Sequence, residues 1–322
     1  MGISVRNTLM PAASPAIKSR PSWVIIVNPA SANGRTGRDW LHNQSLLEGL
    51  LPKFEAWLTE YPGHARLLAQ KARDLGFSTI AVHGGDGTIN EVVNGLLCSS
   101  QGDPTLALFP SGTGADLVRT LGIPHPLKKA VGPALKGSSQ RIDVGLVQFE
   151  DLQGHPSQRY FINVTDVGFG GDLVRFVNSH SKKLGGKLSF FRGLLVTLFR
   201  YKNRTIRITL DNKAPFQVRA SSIVVANGQY FGGGMWVAPP ARLDDGILDV
   251  VAVGDVSKRE VLTNIPRLYR GTLAAHPKVR TYQARQLELT SKEEVLIDLD
   301  GELVGRLPAS FQILSQKIKI LC

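Results

Sequence analysis

Three short apolar runs, each followed at once by a loop rich in Gly, Ser or Thr and then by a helix-spaced pattern, constrain this 322-residue chain most. They are "WVIIV" (23–27) before "NPASANGR" (28–35), "STIAV" (78–82) before "HGGDGT" (83–88), and "TLALF" (105–109) before "PSGTGAD" (110–116). A fourth run, "FEAWLT" (54–59), precedes a stretch in which Ala65, Leu68, Ala69, Ala72 and Leu75 recur at helical spacing. Apolar strands alternating with amphipathic helices read as βαβ units around a parallel sheet. Open sheets of this kind take their ligands at the carboxyl ends of the strands, so loops repeated at that edge converge on one place.

The character changes after about Arg141. Alternating, β-branched segments recur there, among them "RIDVGLVQF", "RTIRITL", "SSIVVANG", "ILDVVAV", "RQLELT" and "EVLIDL". That pattern predicts an antiparallel sheet or sandwich, with helical insertions near 171–201 and 257–271. The fold class expected is therefore an α/β domain with a parallel sheet over 22–140, followed by a mainly β domain, an antiparallel sandwich, over 141–322. Residues 1–21 are rich in Ser, Ala and Pro, carry Arg6, Lys18 and Arg20 and no acid, and read as a disordered tail, a composition that a transit-like leader shares.

Lys plus Arg exceed Asp plus Glu by 38 − 26 = 12, which favours an anionic partner: nucleic acid, anionic lipid or a phosphorylated substrate. A nucleic-acid role lacks any aromatic and basic motif on a recognisable platform. No window reaches the ~18 to 20 uninterrupted apolar residues that a spanning helix needs. The nearest, 187–202, is broken by Arg192 and Arg200. Around it Phe190, Phe191, Leu194, Leu195, Leu198 and Phe199 make an apolar face beside Lys183 and Lys187. Either this is a helix packed on the β domain, or it is an interfacial helix that docks on anionic lipid. The two cysteines, Cys98 and Cys322, have no metal spacing and suit a reducing, cytoplasmic setting.

In "HGGDGTINEVVNG" (83–95) the glycines let backbone approach a ligand, and the helix that follows offers free N–H groups to a phosphate. Asp86 is the odd element, since a carboxylate repels phosphate unless a metal or hydroxyl intervenes. The plainer alternative is a turn with Thr88 as helix cap. Neither a P-loop nor a dinucleotide fingerprint is present.

"GGDGTINEVVNGL", "PSGTGADLVRTLGIP", "ANGQYFGGGMWVAPPARLDDGILDV" and "IDLDGE", in that order, resemble the diacylglycerol kinase-like lipid kinases, a family that includes bacterial diacylglycerol kinases and eukaryotic sphingosine and ceramide kinases. The resemblance runs from about Trp23 to Leu321. It implies an ATP-dependent kinase acting on a hydroxyl of diacylglycerol or a related lipid, with ATP held by the first domain and the lipid by the second. Carried over position by position, Gly85, Asp86, Gly87, Thr88, Ile89, Asn90 and Glu91 cradle the ATP phosphates, with Thr113, Asn28, Ser31 and Thr59 completing the nucleotide site. Asp300 matches the general base, with Glu302 beside it as a second catalytic acid. Asp245, with the carbonyls of Arg242 and Ile247, matches a magnesium site. The implied setting is cytoplasmic and peripheral to a membrane, with a lipid substrate, anionic lipid as partner, no nucleic acid and room for a homodimer. Ala115 departs from the family's usual Asn. An NAD kinase-like phosphotransferase, sharing "GGDGT", and a non-catalytic lipid-binding protein of the same fold are the alternatives.

Taken without the resemblance, Asp300-Gly301 between two apolar runs is a type I′ hairpin signal, and "LDDG" (243–246) is a turn signal. A tight turn and a catalytic carboxylate are compatible, because the turn fixes the side chain on a rigid element. If 295–300 is a strand, Asp298 and Asp300 lie on one face with Leu296.

Overall fold

The computed structural model describes residues 21–98, 103–111, 114–180 and 186–322. Strands β1 (Trp23–Val27), β2 (Phe54–Leu58), β3 (Thr79–Gly84) and β4 (Thr105–Pro110) pair in parallel in the order β2-β1-β3-β4. Helices α1 (Arg35–Glu48), α2 (His64–Asp74) and α3 (Asp86–Leu97) alternate with them, and short α4 (Asp116–Thr120) and α5 (Leu127–Lys136) follow β4. Every residue of β1 and β3 is buried, as central strands are when helices cover both faces of a sheet. Strand β2, at the sheet edge, is only partly covered.

The second half opens with β5 (Ser139–Glu150), β6 (Pro156–Phe161) and β7 (Val164–Gly168), then α6 (Phe169–His180) and α7 (Gly186–Arg200). Strands β8 (Arg204–Leu210), β9 (Phe216–Ala220) and β10 (Ser222–Ala226) follow, then a small hairpin of β11 (Tyr230–Phe231) and β12 (Met235–Trp236) and strand β13 (Leu248–Val253). Helix α8 (Lys258–Arg270) precedes β14 (Val279–Ala284), β15 (Gln286–Thr290), β16 (Leu296–Leu299) and the long β17 (Glu302–Leu321). One wing runs β14-β13-β10-β7-β16-β17, and the other pairs β17 with β5 and β15, then β15 with β8 and β8 with β9. All these pairings are antiparallel, as the alternating sequence predicts.

Strand β17 belongs to both wings because its register against β5 shifts at Arg306/Ala309 and again at Leu314/Ile318, bending it from one to the other. Between the wings lies a core that includes Phe161, Phe311, Ile206, Val225, Val250 and Leu287, with the Phe161 and Phe311 rings edge to face at 6.2 Å. The opposite face of β7, β10 and β13 carries Val164, Val224 and Val251, the alternate residues of the same strands.

The end of β17 pairs in parallel with β4, Lys319 opposite Thr105, so the α/β sheet and the β wings form one continuous sheet and the hairpin that starts β17 is tied to the strand before the "PSGTGAD" segment.

Candidate active site

Strands β1, β3 and β4 end at the same edge, and their loops are bonded to one another. Asn28 Nδ2 donates to Thr88 Oγ1 (2.8 Å) while its Oδ1 accepts the Ala30 N–H. The Ser31 hydroxyl donates to the Asn28 carbonyl and lies 2.9 Å from Ser111 Oγ, in the loop after β4. Thr88 is thus engaged by Asn28 and is not the helix cap. Helix α3 begins two residues earlier, at Asp86, with Gly85 in extended conformation at its N-cap and no capping side chain. Gly85 and Gly87 therefore present backbone at the first turn of a helix, where N–H groups are unsatisfied.

Asp86 answers the puzzle of an acid in such a loop. Its carboxylate accepts the N–H groups of Asp116 (3.1 Å) and Leu117 (3.4 Å), and so caps α4 from across the site. Burial and the neighbouring Asp116 carboxyl raise its pKa, and these backbone bonds oppose the rise. A methyl on Gly114 would come within 2.7 Å of Asp86 Oδ2, so glycine is the residue that fits there. Asp116 in turn accepts the Gly233 N–H (2.8 Å) and pairs with Arg119, bonding the loop after β4 to "FGGG" of the second half.

The remaining residues expected at the nucleotide divide. Thr59 is buried just past β2, its N–H on the Val27 carbonyl. Ile89 is buried in the α/β core. The Glu91 carboxylate accepts the N–H groups of Gly63 and Ala65 and caps α2, so its side chain serves a neighbouring helix. Asn90 reaches the other way and donates to Asp300 Oδ2 at 2.7 Å. Thr113 lies outside the described residues.

Asp300 (φ 47°) and Gly301 (φ 90°) form the left-handed pair that a type I′ turn demands between β16 and β17. The turn directs the Asp300 carboxylate inward. Oδ2 accepts from Asn90 and from the Ile162 N–H (3.1 Å), and Oδ1 from the N–H groups of Val164 (2.8 Å) and Asn163 (3.3 Å). Burial raises its pKa to about 6 against the pull of these donors. A carboxylate held so is ionised at neutral pH and basic enough to take a proton. Glu302 pairs with Arg159 at 2.9 Å, and its other oxygen faces Gly87.

From this junction a cavity of about 420 Å³ runs into the second half. Its walls are largely apolar, with Phe169, Leu173, Val224, Phe231, Ile265 and Leu268 among them, and Asp86, Asp116, Asp166, Asp298 and Asp300 also line it. No Lys or Arg lines it among the described residues. Leu194 and Leu198 of α7 face this cavity, which supports the packed-helix reading of that segment for its C-terminal half, while Phe199 is exposed under Lys258. The side chains of Lys183, Lys187, Phe190, Phe191 and Arg192 lie outside the described residues.

The acidic turn 242–247 sits apart from these acids. Asp245 Oδ1 accepts the Ile247 N–H, and Arg242 Nε donates to Asp244. Beneath them the fully buried Asp143, which the sequence did not single out, accepts the N–H groups of Gly246 (2.6 Å) and Gln316 (2.7 Å) and so locks the turn onto β17. Burial first, then Asp143 and Asp244, raise the Asp245 pKa against the Ile247 bond, which makes the turn a negative, oxygen-rich spot suited to a hard dication. Among the described residues no three His, Cys, Asp or Glu side chains are set to hold one metal, so an ion here depends on backbone carbonyls such as those of Arg242 and Ile247.

Comparison with known proteins agrees along the chain. Residues 22–147 match the diacylglycerol kinase catalytic domain, and residues 164–322 match the YegS C-terminal NAD kinase beta sandwich-like domain. A diacylglycerol kinase of Staphylococcus haemolyticus is 30% identical over 299 residues, covering 92% of this chain and 86% of its own length. One from Staphylococcus carnosus is 29% identical over 303 residues, covering 92% and 93%. Among solved structures, a diacylglycerol kinase from Bacillus anthracis str. Sterne superposes with a TM-score of 0.69 at 22% identity, covering 94% of this chain and 98% of that one. An NAD kinase from Archaeoglobus fulgidus in complex with ATP gives 0.50 at 11% identity, covering 93% of each chain.

Proposed function

This chain belongs to the diacylglycerol kinase family, and from that premise we propose that it transfers the γ-phosphoryl group of ATP to a hydroxyl of diacylglycerol or a related lipid, with Asp300 as general base. The observation that carries the reading is the position of Asp300. Its carboxylate is bonded to Asn90 of the glycine-loop helix on one side and lines an apolar, chain-sized cavity on the other.

Phosphoryl transfer asks for positioning, charge neutralisation and a base in line with the attacking oxygen. The α3 N-terminus with Gly85 and Gly87, and the cross-bonded Asn28, Ser31 and Thr88, supply the donors for the phosphates, and the family resemblance adds Thr59 and Thr113 to the nucleotide site. Asn90 and Glu91 act as positioning residues, one holding Asp300 and the other α2. The lipid hydroxyl gives its proton to Asp300 as its oxygen bonds to the γ-phosphorus, and the bond to the β–γ bridging oxygen breaks to release ADP. Glu302, held by Arg159, keeps a negative group at the rim that orients the hairpin over Gly87. Magnesium, when bound, would neutralise phosphate charge; a structural ion would be held by Asp245 with the Arg242 and Ile247 carbonyls. Acyl chains entering the cavity gain about 0.8 kcal/mol per methylene buried.

The substrate sits in a bilayer, while no helix among the described residues is long and apolar enough to cross one. A peripheral, cytoplasm-facing enzyme fits both facts. Helix α8, whose residues include exposed Leu262 and Tyr269 beside Lys258, Arg259, Arg267 and Arg270, supports contact with anionic lipid. Incubation with Mg·ATP and a panel of neutral lipids, with NAD as a competing acceptor, followed by mass detection of phosphorylated products, tests the reading. A phosphorylated lipid is expected; phosphorylated NAD without any lipid product would overturn it.

A further inference from the structure

Two acids of the cavity have no part in the reaction above. Asp166 of β7 and Asp298 of β16 stand directly opposite each other in antiparallel register, on the strand that leads into Asp300 and the strand beside it. Like-charged residues in that relation repel. Asp166 is 5% exposed; its Oδ2 accepts the Ser222 hydroxyl (3.1 Å) and the Gly170 N–H (3.1 Å), and a methyl on Gly170 would come within 2.5 Å of that oxygen. The carboxyl group is thus built into the wall. Yet Oδ1 of Asp166 and Oδ1 of Asp298 are both buried and have no hydrogen-bond partner in the protein, and both residues line the cavity. A buried acceptor left unpaired is destabilising, more so when charged, and a Val at either position would avoid that cost.

We infer that Asp166 and Asp298 together receive a hydrogen-bond donor, an ammonium or a second hydroxyl, carried by the acceptor lipid next to the hydroxyl that is phosphorylated. The inference rests on the kinase reading above and names the substrate class within it. Asp298 lies in β16 one residue before the turn that carries Asp300, and both line the cavity, so a headgroup with donors on adjacent carbons can meet both. The charge of the cavity agrees. With five aspartates and no Lys or Arg in its described lining, it attracts a cationic or donor-rich headgroup and repels a lipid already carrying phosphate. Diacylglycerol, whose reacting hydroxyl is flanked by ester oxygens, offers the pair nothing.

The test compares three acceptors in the same neutral mixed micelles: octadecanol, octadecane-1,2-diol and 2-amino-octadecanol. Hydrogen bonds to ionised groups contribute about 1.5–3 kcal/mol, so the wild-type kcat/KM should favour the diol or the amino alcohol over octadecanol by at least about tenfold. The arm that wins identifies the donor. In Asp166→Asn and Asp298→Asn, which swap an acceptor oxygen for a donating amide, that ratio should fall towards one. A ratio within each preparation is insensitive to how much of a variant is folded. Phosphorylation of all three alcohols at equal efficiency by the wild type would overturn this inference and leave the kinase reading intact, as would a preference that neither variant moves. If none of the three, and no diacylglycerol, is phosphorylated, both fall.

Discussion

On the phosphate-loop wall of the site, Asp86, Glu91 and Asp116 all accept backbone N–H groups, capping α4 and α2 and fixing the "FGGG" loop. On the cavity wall, Asp166 and Asp298 are as deeply placed but each keeps an oxygen that nothing in the protein satisfies. Asp300 stands where the two walls meet, fully bonded yet raised to about 6. Carboxylates engaged by backbone make a rigid cradle for a fixed ligand, such as a triphosphate. Those left with unpaired oxygens define a surface that only a ligand completes. One wall is therefore preorganised, and the other is selective.

The largest expected effect falls at the meeting point. Asp300→Asn should reduce kcat by about 10²- to 10⁴-fold, the usual contribution of a general base, while ATP affinity measured by calorimetry changes little. Because the base must be ionised, wild-type activity should climb as pH rises through about 6 and then level off. Near-normal turnover in the variant, or a profile flat across that range, would remove Asp300 from the chemistry.

Asp86→Ala tests the rigid wall. It leaves the Asp116 and Leu117 N–H groups uncapped beneath a buried gap, which should cost about 1–3 kcal/mol in urea unfolding and weaken ATP binding together. Loss of stability with unchanged ATP affinity would show that the cradle does not depend on α4.

Asp166→Asn tests the selective wall and should move stability the other way. Burial raises the folded pKa of Asp166 to about 6 from 3.8, so between those values the folded state holds a proton that the unfolded state has lost. Stability contributed by this group is thus highest in acid and falls as pH rises from about 4 to about 6. By pH 7 the ionised carboxylate costs on the order of 3 kcal/mol, net of the Ser222 and Gly170 bonds and coupled to the facing Asp298. The amide removes that cost, so its melting temperature should exceed the wild type's at pH 7 and converge with it near pH 4. A variant less stable at both pH values would mean that Asp166 is a structural acceptor alone.

The two walls also differ in how far the sequence announces them. Strands β1, β3 and β4 and the loops after them are legible because continuous apolar runs and Gly-rich punctuation are local signals. The type I′ turn at Asp300-Gly301 is legible for the same reason. What Asp86 and Glu91 do is not, since each finds its partner on a different helix, 26 to 31 residues away. Asp143 locks the 242–247 turn from roughly a hundred residues upstream and gives no motif. Asp166 did leave a trace, an acid in the apolar run "NVTDVG", but its meaning depends on Asp298 standing opposite, a pairing that only the register of β7 and β16 creates.

The smallest expected effect lies at Ala115, where the resemblance to the lipid kinases implies an Asn. Ala115 is the N-cap of α4 and adopts φ 51°, ψ 40°, a left-handed conformation that brings an L residue's Cβ close to the following carbonyl. Asn tolerates it better and glycine suffers no penalty at all. Ala115→Gly should therefore stabilise the protein by about 0.5–1 kcal/mol in urea unfolding, the relief being partly offset by the greater freedom of glycine in the unfolded chain. Ala115→Asn should gain a similar amount and also place an amide at the edge of the phosphate wall. If Asn alone tightens ATP binding, the family's residue acts through its side chain; if Gly and Asn behave alike, position 115 matters only for the turn that lets Asp86 reach α4.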